Sequence, residues 1–390
     1  MRRRDFVKLA GLLPFTFTLP GLAAASVRQP RWDRVLLLLE LNGGNDGLNT
    51  VVPYADLNYY RLRPQLSVVR DSVIQLSDQL AFNPAMEALM PAWKARELGV
   101  ILGVGYPEPN RSHFRSIAIW ETGSSSDEFL QEGWISRLFA KARPPHTFAA
   151  EGIAIGRGLG PLQGRNMRNI VMRNAQHFMR QARGVKEPET VTGNTALSHL
   201  LAVQADLYRA ATTLKARYHH KPRLQTTFPK SRLGRELETT AGLLASRIPV
   251  SVVKVSHGSF DTHSRQRGQH DRLLQELATA LSAFRSAMQE INLWDRVLVL
   301  TYSEFGRRAS ENGSRGTDHG TAAAHFILGG HVKGGFYGQQ PSLTRLLDGD
   351  LRYHVDYRSL YGTVARHWWG ISDDVFAKRF PPIDCLTPSP

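Results

Sequence analysis

Five continuous apolar runs of strand length are spaced along the chain. The first is VLLLLEL at Val35–Leu41, and the others cover 98–104, 249–255, 296–301 and 325–328. Continuous rather than alternating apolar positions are typical of strands that are buried on both faces of a sheet, as in parallel sheets. The pattern therefore predicts a mostly parallel central sheet.

Stretches with helical spacing of apolar residues lie between these strands. In 82–96, for example, Met86, Leu89 and Trp93 fall on one face of a helix. Strands that alternate with helices indicate βαβ units, and hence an α/β fold. Helices are also predicted over 115–121, 133–142, 196–217, 233–247, 269–291 and 357–369.

Two segments interrupt this alternation. The helices over 196–217 and 233–247 are predicted to form a helical hairpin, inserted between sheet elements at about 190–248. After a short predicted strand at 152–156, the chain as far as residue 186 is rich in Arg and Gly and has weak periodicity. We expect that stretch to be a partly irregular, basic surface.

The first 25 residues have the form of a targeting segment. Arg2, Arg3 and Arg4 precede an apolar stretch that is short for a membrane span, and three alanines at 23–25 offer a cleavage site. This order predicts a twin-arginine signal peptide, which the twin-arginine translocation machinery would recognise, and a periplasmic or secreted protein. The alternatives are an uncleaved anchor or a cytoplasmic arm. Residues 26–390 are predicted to form a single α/β domain.

Charge and cysteine content limit the partners and the kinds of metal site that the chain can have. The chain carries a formal charge of +15, of which +3 lies in the first 25 residues, so that +12 remains to favour anionic substrates or surfaces. The basic residues are spread out rather than gathered in a reader motif, so no nucleic-acid partner is expected. The alternative is a basic exported protein that stays soluble or rests on an anionic envelope. Cys385 is the single cysteine, which excludes an internal disulfide and a thiolate metal cluster.

Polar clusters follow the first two apolar runs. Asp46 lies in the glycine-rich loop NGGNDG, at the end of a strand where open α/β sheets bind their ligands; its alternative role is an ordinary turn. Ser112, in NRSHFRS, lies at a loop-to-helix junction, where backbone N–H groups favour an anion. It is a candidate nucleophile, or an N-cap serine whose neighbour His113 is a ligand, and nucleophile and cap do not exclude each other.

Three histidines follow the strand predicted at 249–255. His257, His263 and His270 lie within fourteen residues, and the sequence leaves open which of them faces a metal. His263 is favoured because it shares a tight loop with Asp261. His270, on a predicted helix, is the alternative ligand.

The last third of the chain holds the remaining candidates. Glu304 is a candidate ligand or outer carboxylate, and Arg307 is a candidate clamp for an oxyanion; the alternative is a surface ion pair between the two. Asp318 and His319 are adjacent in a glycine-rich stretch, and His325 follows six residues later. One carboxylate and two imidazoles at this spacing are a common way to bind a metal.

Asp and His without Cys indicate the kind of metal. Their donor atoms suit Zn²⁺, with Mn²⁺, Mg²⁺ or Ca²⁺ as alternatives, and argue against copper or iron–sulfur sites. Two such ions about 3.5 to 4 Å apart can clamp both oxygens of an in-line displacement at phosphorus or sulfur, and coordination would activate a seryl hydroxyl. The predicted ligands are Asp46, Asp261, His263, Asp318, His319 and His325.

Several motifs make the chain resemble a known family. They are LNGGNDGLNTVVPY, NRSHFRSIAIWETG, FDTHSRQ, SEFGRR and, above all, ENGSRGTDHGTAAAHFILGGHVKGG. Over about 35–338, the chain resembles the uncharacterised bacterial family catalogued as domain of unknown function 1501. That family looks like a branch of the alkaline phosphatase superfamily, which also holds sulfatases, phosphodiesterases and phosphomutases.

The resemblance implies an alkaline phosphatase-like three-layer α/β/α sandwich. The superfamily pattern is, in chain order, a metal-binding Asp, a hydroxyl nucleophile, an Asp with a nearby His, an Asp-His pair and a final His. The matching positions are Asp46, Ser112, Asp261 with His263, Asp318 with His319, and His325.

These observations favour an exported metal-dependent hydrolase of phosphate or sulfate esters, which acts on an anionic small molecule or polymer with Ser112 as nucleophile. The alternative is a scaffold that has kept the fold and lost the chemistry, and that serves as an envelope-associated binding protein. Its motivation is the single residue between Asp261 and His263, together with the high positive charge. A metal-free serine esterase is disfavoured, because no Gly-x-Ser-x-Gly motif surrounds Ser112.

Overall fold

The structure is a computed structural model, and its described residues cover most of the chain. They are 29–156, 158–165, 167–188, 195–218, 222–372, 375–376 and 379–387. The twin-arginine signal predicted at 1–25 lies outside them. Within the described residues, no helix combines the length and the apolar character needed to cross a membrane.

Strands and helices alternate along the chain, as the apolar pattern predicts. The described strands are β1 (Val35–Leu41), β2 (Val51–Val52), β3 (Ile74–Gln75), β4 (Ala81–Phe82), β5 (Leu98–Gly105), β6 (Gly152–Ile155), β7 (Asn169–Met172), β8 (Val252–His257), β9 (Val297–Tyr302), β10 (Ala323–Leu328), β11 (Gly335–Gly338) and β12 (Val355–Asp356). The described α-helices are α1 (Gly47–Thr50), α2 (Leu57–Leu62), α3 (Met90–Lys94), α4 (His113–Thr122), α5 (Trp134–Lys141), α6 (Ala175–Gln181), α7 (Thr195–Tyr218), α8 (Arg232–Ala245), α9 (Gln266–Glu290) and α10 (Tyr357–Thr363).

A nine-stranded sheet forms the centre of the described structure. Its strand order is β11-β5-β10-β9-β1-β8-β6-β7, and β12 pairs with the end of β5. Among the strands that the structure describes, β10 runs antiparallel to both of its neighbours, whereas the other pairs of this sheet are parallel. The predicted mostly parallel sheet is therefore confirmed.

Helices cover both faces of this sheet. On one face, α8 and α9 share an apolar core with Leu37 and Leu39 of β1. On the other face, α4, α5 and α10 share a core with Leu36 and Leu38 of the same strand. Because successive side chains of a strand point to opposite faces, β1 is buried on both sides. The fold is thus the predicted three-layer α/β/α sandwich.

The strand directions bring five loops to one edge of the sheet. The parallel strands β1, β5, β8 and β9 end at this edge, and the antiparallel β10 begins there. The loops that follow β1, β5, β8 and β9 therefore lie at the same edge as the loop that precedes β10. These are the loops that carry the polar clusters of the sequence.

The helix predicted over 82–96 is confirmed in part, because residues 84–94 are helical but divided. After β4 the chain forms a 3-10 helix at Pro84–Leu89 and then the short α3. Pro84 and Pro91 each lie in the first turn of a helix, which is where proline is tolerated, because its missing N–H would have no partner there. The second proline therefore starts a new helix instead of continuing the first.

The basic segment that follows β6 is more regular than expected. It contains β7, which pairs with β6 at the edge of the sheet, and the helix α6. In β7, Ile170 and Met172 are buried while Val171 is exposed, and such a short alternation is hard to recognise among arginines. The next two helices, α7 and α8, lie between β7 and β8 in chain order, where the helical insertion at about 190–248 is predicted.

Candidate metal centre

Three imidazoles converge on the carboxylate of Asp261. Nε2 of His263 and Nε2 of His319 each lie 3.0 Å from its Oδ1, and Nε2 of His113 lies 3.4 Å from its Oδ2. The Nε2 atoms of His263 and His319 are 2.9 Å apart. One ligand atom each from His113, Asp261 and His319 lies within 4.8 Å of the others. We call these four residues the Asp261 cluster.

Each member of the Asp261 cluster comes from a loop at the common edge of the sheet. His113 is the first residue of α4, after β5, while Asp261 and His263 follow β8. His319 precedes β10 and forms an isolated bridge with Arg307, in the loop after β9. The cluster therefore depends on the strand order of the sheet, since more than two hundred residues separate His113 from His319.

The outer nitrogens of two imidazoles have protein partners. Nδ1 of His113 lies 2.8 Å from Oε1 of Glu304, and Nδ1 of His319 lies 2.8 Å from the carbonyl oxygen of Arg111. These contacts orient both rings with Nδ1 outward and Nε2 toward Asp261, so that Nε2 is the atom of each neutral imidazole that would bind a metal. Outer partners of this kind orient histidine ligands in metal sites.

Asp318 and Asn312 support the third imidazole. Nδ1 of His263 lies 3.5 Å from Oδ1 of Asp318, and Nδ2 of Asn312 donates both to that Oδ1 and to the carbonyl of His263, each at 3.0 Å. The hydrogen bond from Asn312 lowers the pKa of Asp318. The Asp318 carboxylate is thus ionised. It lies next to the Asp261 cluster and contacts the outer nitrogen of His263, which is the position of an outer partner and not that of the predicted metal ligand.

Gly43, in the loop after β1, contacts residues next to the Asp261 cluster. Its N–H donates to both carboxylate oxygens of Glu304, at 2.9 and 3.1 Å. Its φ is +114°, and a Cβ there would lie 2.5 Å from the backbone nitrogen of Asp261. A side chain would therefore be strained and would push Asp261 away.

Arg307 is buried and holds Asp261 in place. Its Nη2 lies 2.7 Å from Oδ1 of Asp261. Burial opposes the ionisation of Asp261, but the hydrogen bonds from Arg307 and His319 outweigh it and lower the pKa of the carboxyl to about 2. The guanidinium also donates to the backbone carbonyls of Gly43, Gly44, Phe260 and Thr317.

These contacts correct both roles expected for Arg307. All three nitrogens of the Arg307 guanidinium donate to protein acceptors, and the side chain is 0% exposed. Arg307 therefore faces no substrate oxyanion, and it is not the surface partner of Glu304, which is itself 1% exposed. It positions Asp261 instead.

Ser112 lies beside the cluster with its hydroxyl exposed. It occupies the N-cap position of α4, directly before His113, but its side chain makes no capping hydrogen bond. Its backbone N–H donates to Oδ1 of Asn110 at 2.9 Å. The hydroxyl is consequently at the amino end of a ten-residue helix, next to a candidate ligand, without a capping role.

The structure places Asp46 apart from the Asp261 cluster. Its buried carboxylate lies 2.6 Å from Nη1 of Arg63, and Gln266 donates to the same oxygen. Burial opposes ionisation of Asp46, but the charge of Arg63 outweighs it and lowers the pKa. Asp46 is also the N-cap residue of α1. Its predicted role as a ligand beside Asp261 is corrected, because the loop turns into α1 and directs the carboxylate to Arg63.

His325 also lies apart from the cluster. It is the third residue of β10, and its ring lies 5.2 Å from that of Trp120 in the core between the sheet and α4. Burial lowers its pKa to about 3, and its Nδ1 has no hydrogen-bond partner within the described residues. The predicted ligand role is corrected, because β10 begins at Ala323 and carries His325 into the sheet.

Comparison with known proteins identifies the family. The model of the family described as "Protein of unknown function (DUF1501)" matches residues 33–374. The chain belongs to the DUF1501 family. The resemblance inferred from the motifs is therefore confirmed. No curated protein matches the sequence.

Solved structures similar to this DUF1501 chain share little sequence with it. One is a protein in the alkaline phosphatase superfamily from Vibrio parahaemolyticus, with 11% identity and a TM-score of 0.36; the match covers 81% of this chain and 64% of that one. Another is the C-terminal periplasmic domain of EcEptC from Escherichia coli in complex with Zn, with 10% identity, coverages of 77% and 73%, and a TM-score of 0.36. A third is the PsFucS1 sulfatase from Pseudoalteromonas sp., with 11% identity, coverages of 92% and 71%, and a TM-score of 0.39.

Of the three candidate histidines at and after the end of β8 in this DUF1501 chain, the structure brings His263 to the cluster. His257 is buried, with Nε2 lying 2.9 Å from the carbonyl oxygen of Leu273. His270 is buried, with Nε2 lying 3.0 Å from Oδ1 of Asn45. Both rings are engaged inside the protein, so neither is available at the edge of the sheet.

Sequence reasoning missed two partnerships in this site. Glu304, which its position after an apolar strand makes a candidate ligand or outer carboxylate, contacts His113, a partner that the sequence did not indicate. Arg63 neutralises Asp46, and nothing in its sequence context distinguishes it from the other arginines. In both cases the partner lies far away along the chain, so local spacing does not show the pair.

Replacing His325 by Leu is expected to flatten the acid dependence of stability. The folded-state pKa of His325 is about 3, below the ordinary value of about 6.5. Below pH 6.5 the unfolded chain therefore binds a proton that the folded chain does not bind. The free energy of unfolding consequently decreases as the pH falls from 6.5 toward 3. Between pH 7 and pH 5, the wild-type chain should lose about 2 kcal/mol more of its free energy of unfolding than the variant does. Urea unfolding at the two pH values measures this. Equal losses, or metal missing from the variant, would contradict the structural role of His325.

Proposed function

We propose that this DUF1501 protein is an exported, metal-dependent hydrolase of phosphate or sulfate esters. The observation that carries the proposal is the convergence of three imidazole Nε2 atoms on the carboxylate of Asp261, beside the exposed Ser112. The sequence of residues 1–25 supports export by the twin-arginine pathway to the periplasm or the medium.

The residues of the Asp261 cluster fit a divalent metal. Two ligand atoms of a tetrahedral zinc ion, each about 2.0 to 2.1 Å from it, lie about 3.3 Å apart. The distances from the three Nε2 atoms to the Asp261 carboxylate, 3.0 to 3.4 Å, and the 2.9 Å between Nε2 of His263 and Nε2 of His319 are close to that value. Nitrogen and oxygen donors without sulfur suit zinc, and manganese, magnesium or calcium are the alternatives. The proposed ligands are His113, Asp261, His263 and His319.

The residues around the cluster orient its ligands and favour the binding of an anionic ester. A divalent ion held there supplies Lewis-acid stabilisation of negative charge at the reacting group. Arg307 fixes Asp261, while Glu304 and Asp318 orient two of the imidazoles. Ser112 is the proposed nucleophile: it lies at the amino end of α4, where the helix dipole and free backbone N–H groups favour negative charge on the substrate.

Ser112→Ala is expected to lower kcat for an aryl phosphate or an aryl sulfate by at least about a thousandfold, because it removes the nucleophile. Its metal content should equal that of the wild-type protein, because the hydroxyl is not among the proposed ligands. Elemental analysis of the purified protein and turnover of both esters measure the two quantities.

Ser314→Ala is the matched control for this substitution. Ser314 is exposed, and its backbone N–H donates to Oδ1 of Asn312 at 2.9 Å, as that of Ser112 does to Asn110. The control should keep full activity. A protein that binds no metal and turns over neither ester, yet binds an anionic polysaccharide, would favour the scaffold hypothesis instead.

A further inference from the structure

We propose that Arg111 and Arg308 form an anion-binding subsite beside the Asp261 cluster, which binds a second anionic group of the substrate. The inference deepens the proposed function and rests on it for the identity of the ligand as a substrate. It implies that the ester carries a further phosphate, sulfate or carboxylate group besides the one that reacts.

A tight turn presents one carboxylate to both arginines. Leu347 and Asp350 exchange two backbone hydrogen bonds of 2.9 Å, and the two residues between them have positive φ, +52° at Asp348 and +81° at Gly349. This is the geometry of a two-residue hairpin turn with the Asp-Gly sequence that favours it. Oδ2 of Asp350 lies 3.2 Å from Nη2 of Arg111, and Oδ1 lies 3.8 Å from Nε of Arg308.

Both arginines belong to segments that hold the cluster together. The carbonyl oxygen of Arg111 faces Nδ1 of His319 at 2.8 Å, and Ser112 is the next residue. The backbone N–H of Arg308 donates to the carbonyl of Asp318 at 3.0 Å. The backbones of Arg111 and Arg308 are therefore held by His319 and Asp318, respectively.

Asp350 is the single carboxylate in direct contact with two guanidiniums among the described residues. In the described part of the chain, Asp350 is the only acidic side chain in ion-pair contact with either guanidinium, so two positive charges share one negative charge. Asp318 lies near enough to Arg308 for that charge to help lower the pKa of its carboxyl, and Asp348 lies near enough to Asp350 to help raise the pKa of that carboxyl. In direct contact, however, the two guanidiniums outnumber the carboxylates.

Arg111 and Arg308 are exposed, unlike the buried Arg307. The side chain of Arg111 is 40% exposed and that of Arg308 is 38% exposed, whereas Asp350 beneath them is 3% exposed. Neither carboxylate oxygen of Asp350 receives a hydrogen bond within the described residues. The N–H groups of both guanidiniums therefore remain available to a ligand, unlike those of the buried Arg307.

Guanidinium groups in this arrangement match a tetrahedral or planar oxyanion. Each can donate two parallel N–H bonds to a phosphate, sulfate or carboxylate. Asp350 limits the freedom of both side chains, so less conformational entropy is lost when the anion binds. A dianionic ligand could then place one group at the Asp261 cluster and the other at the subsite.

Calorimetric binding of benzene-1,3-disulfonate and benzenesulfonate to the metal-loaded protein tests the subsite without any turnover. The disulfonate should bind at least about tenfold more tightly, the effect of one or more charge-assisted hydrogen bonds. The double variant Arg111→Gln/Arg308→Gln should lose this preference. The double variant Arg61→Gln/Arg143→Gln, which removes the same charge from two exposed arginines elsewhere, should retain it.

The outcomes separate this inference from the proposed function. A preference that persists in Arg111→Gln/Arg308→Gln, or that is equally lost in the control, overturns the subsite. Loss of the preference in the site variant alone supports it, even if no ester is hydrolysed. In that case the hydrolase proposal fails while the anion-binding subsite stands.

Discussion

Asp261→Asn is expected to empty the metal centre and to lower kcat/KM by more than about 100-fold. The carboxylate is the one group that contacts all three imidazoles of the cluster and the guanidinium of Arg307. Substitution of an outer partner typically costs about 10- to 100-fold in metal affinity or activity, and Asp261 is a proposed ligand. The amide keeps the shape of the side chain but removes its negative charge. Metal stoichiometry and turnover of aryl esters measure the effect.

Asp206→Asn is the control for this substitution, because it removes the same charge from the surface of α7, where Asp206 pairs with Arg209. It should leave metal content and turnover unchanged. Full metal content and full activity in Asp261→Asn would show that the converging imidazoles are a surface cluster and not a metal site. The hydrolase proposal would then lose the observation that carries it.

Arg63→Met is expected to lower the free energy of unfolding by about 3 to 5 kcal/mol. Breaking a buried ion pair by removing one partner leaves an uncompensated charge, and the carboxylate of Asp46 is buried with Arg63 as its cationic partner at 2.6 Å. Arg63 also donates to the backbone carbonyls of Ala309 and Arg308. Urea unfolding at pH 7 measures the loss.

Two further variants test the cause of this loss. Arg63→Met/Asp46→Asn removes both charges and should be more stable than Arg63→Met alone by at least about 1 kcal/mol, because no charge stays buried. Arg61→Met, on the exposed surface of α2, should change stability by less than about 0.5 kcal/mol. A double variant less stable than Arg63→Met would contradict the ion-pair explanation. If the metal content of the double variant equals that of the wild type, Asp46 has no role as a ligand.

The apolar pattern predicted the strands that build the site because burial on both faces leaves a local signal. The runs at 98–104, 249–255 and 296–301 correspond to β5, β8 and β9 within a few residues. The same pattern placed Asp261 and Ser112 in loops that follow strands. Over 82–96 the pattern predicted one helix, whereas prolines divide the helical residues into a 3-10 helix and α3.

Side-chain roles within those loops were predictable only in part. Spacing favoured His263, and it lies in the cluster. Spacing also favoured His325, but the register of β10 carries that ring into the apolar core. The number of residues after a motif does not reveal where a strand begins, and one residue along a strand reverses the face on which a side chain lies.

Local patterns of apolar and polar residues were enough to predict the fold class, the family and the loops that hold the candidate chemistry. They did not show which charges meet in the folded chain. Asp46 and Asp261 follow neighbouring parallel strands and have the same chemistry, yet one is neutralised by buried Arg63 and the other faces three imidazoles. The reason is physical: the energy of an ion pair depends on distance and burial, and both are set by contacts between residues far apart in the chain.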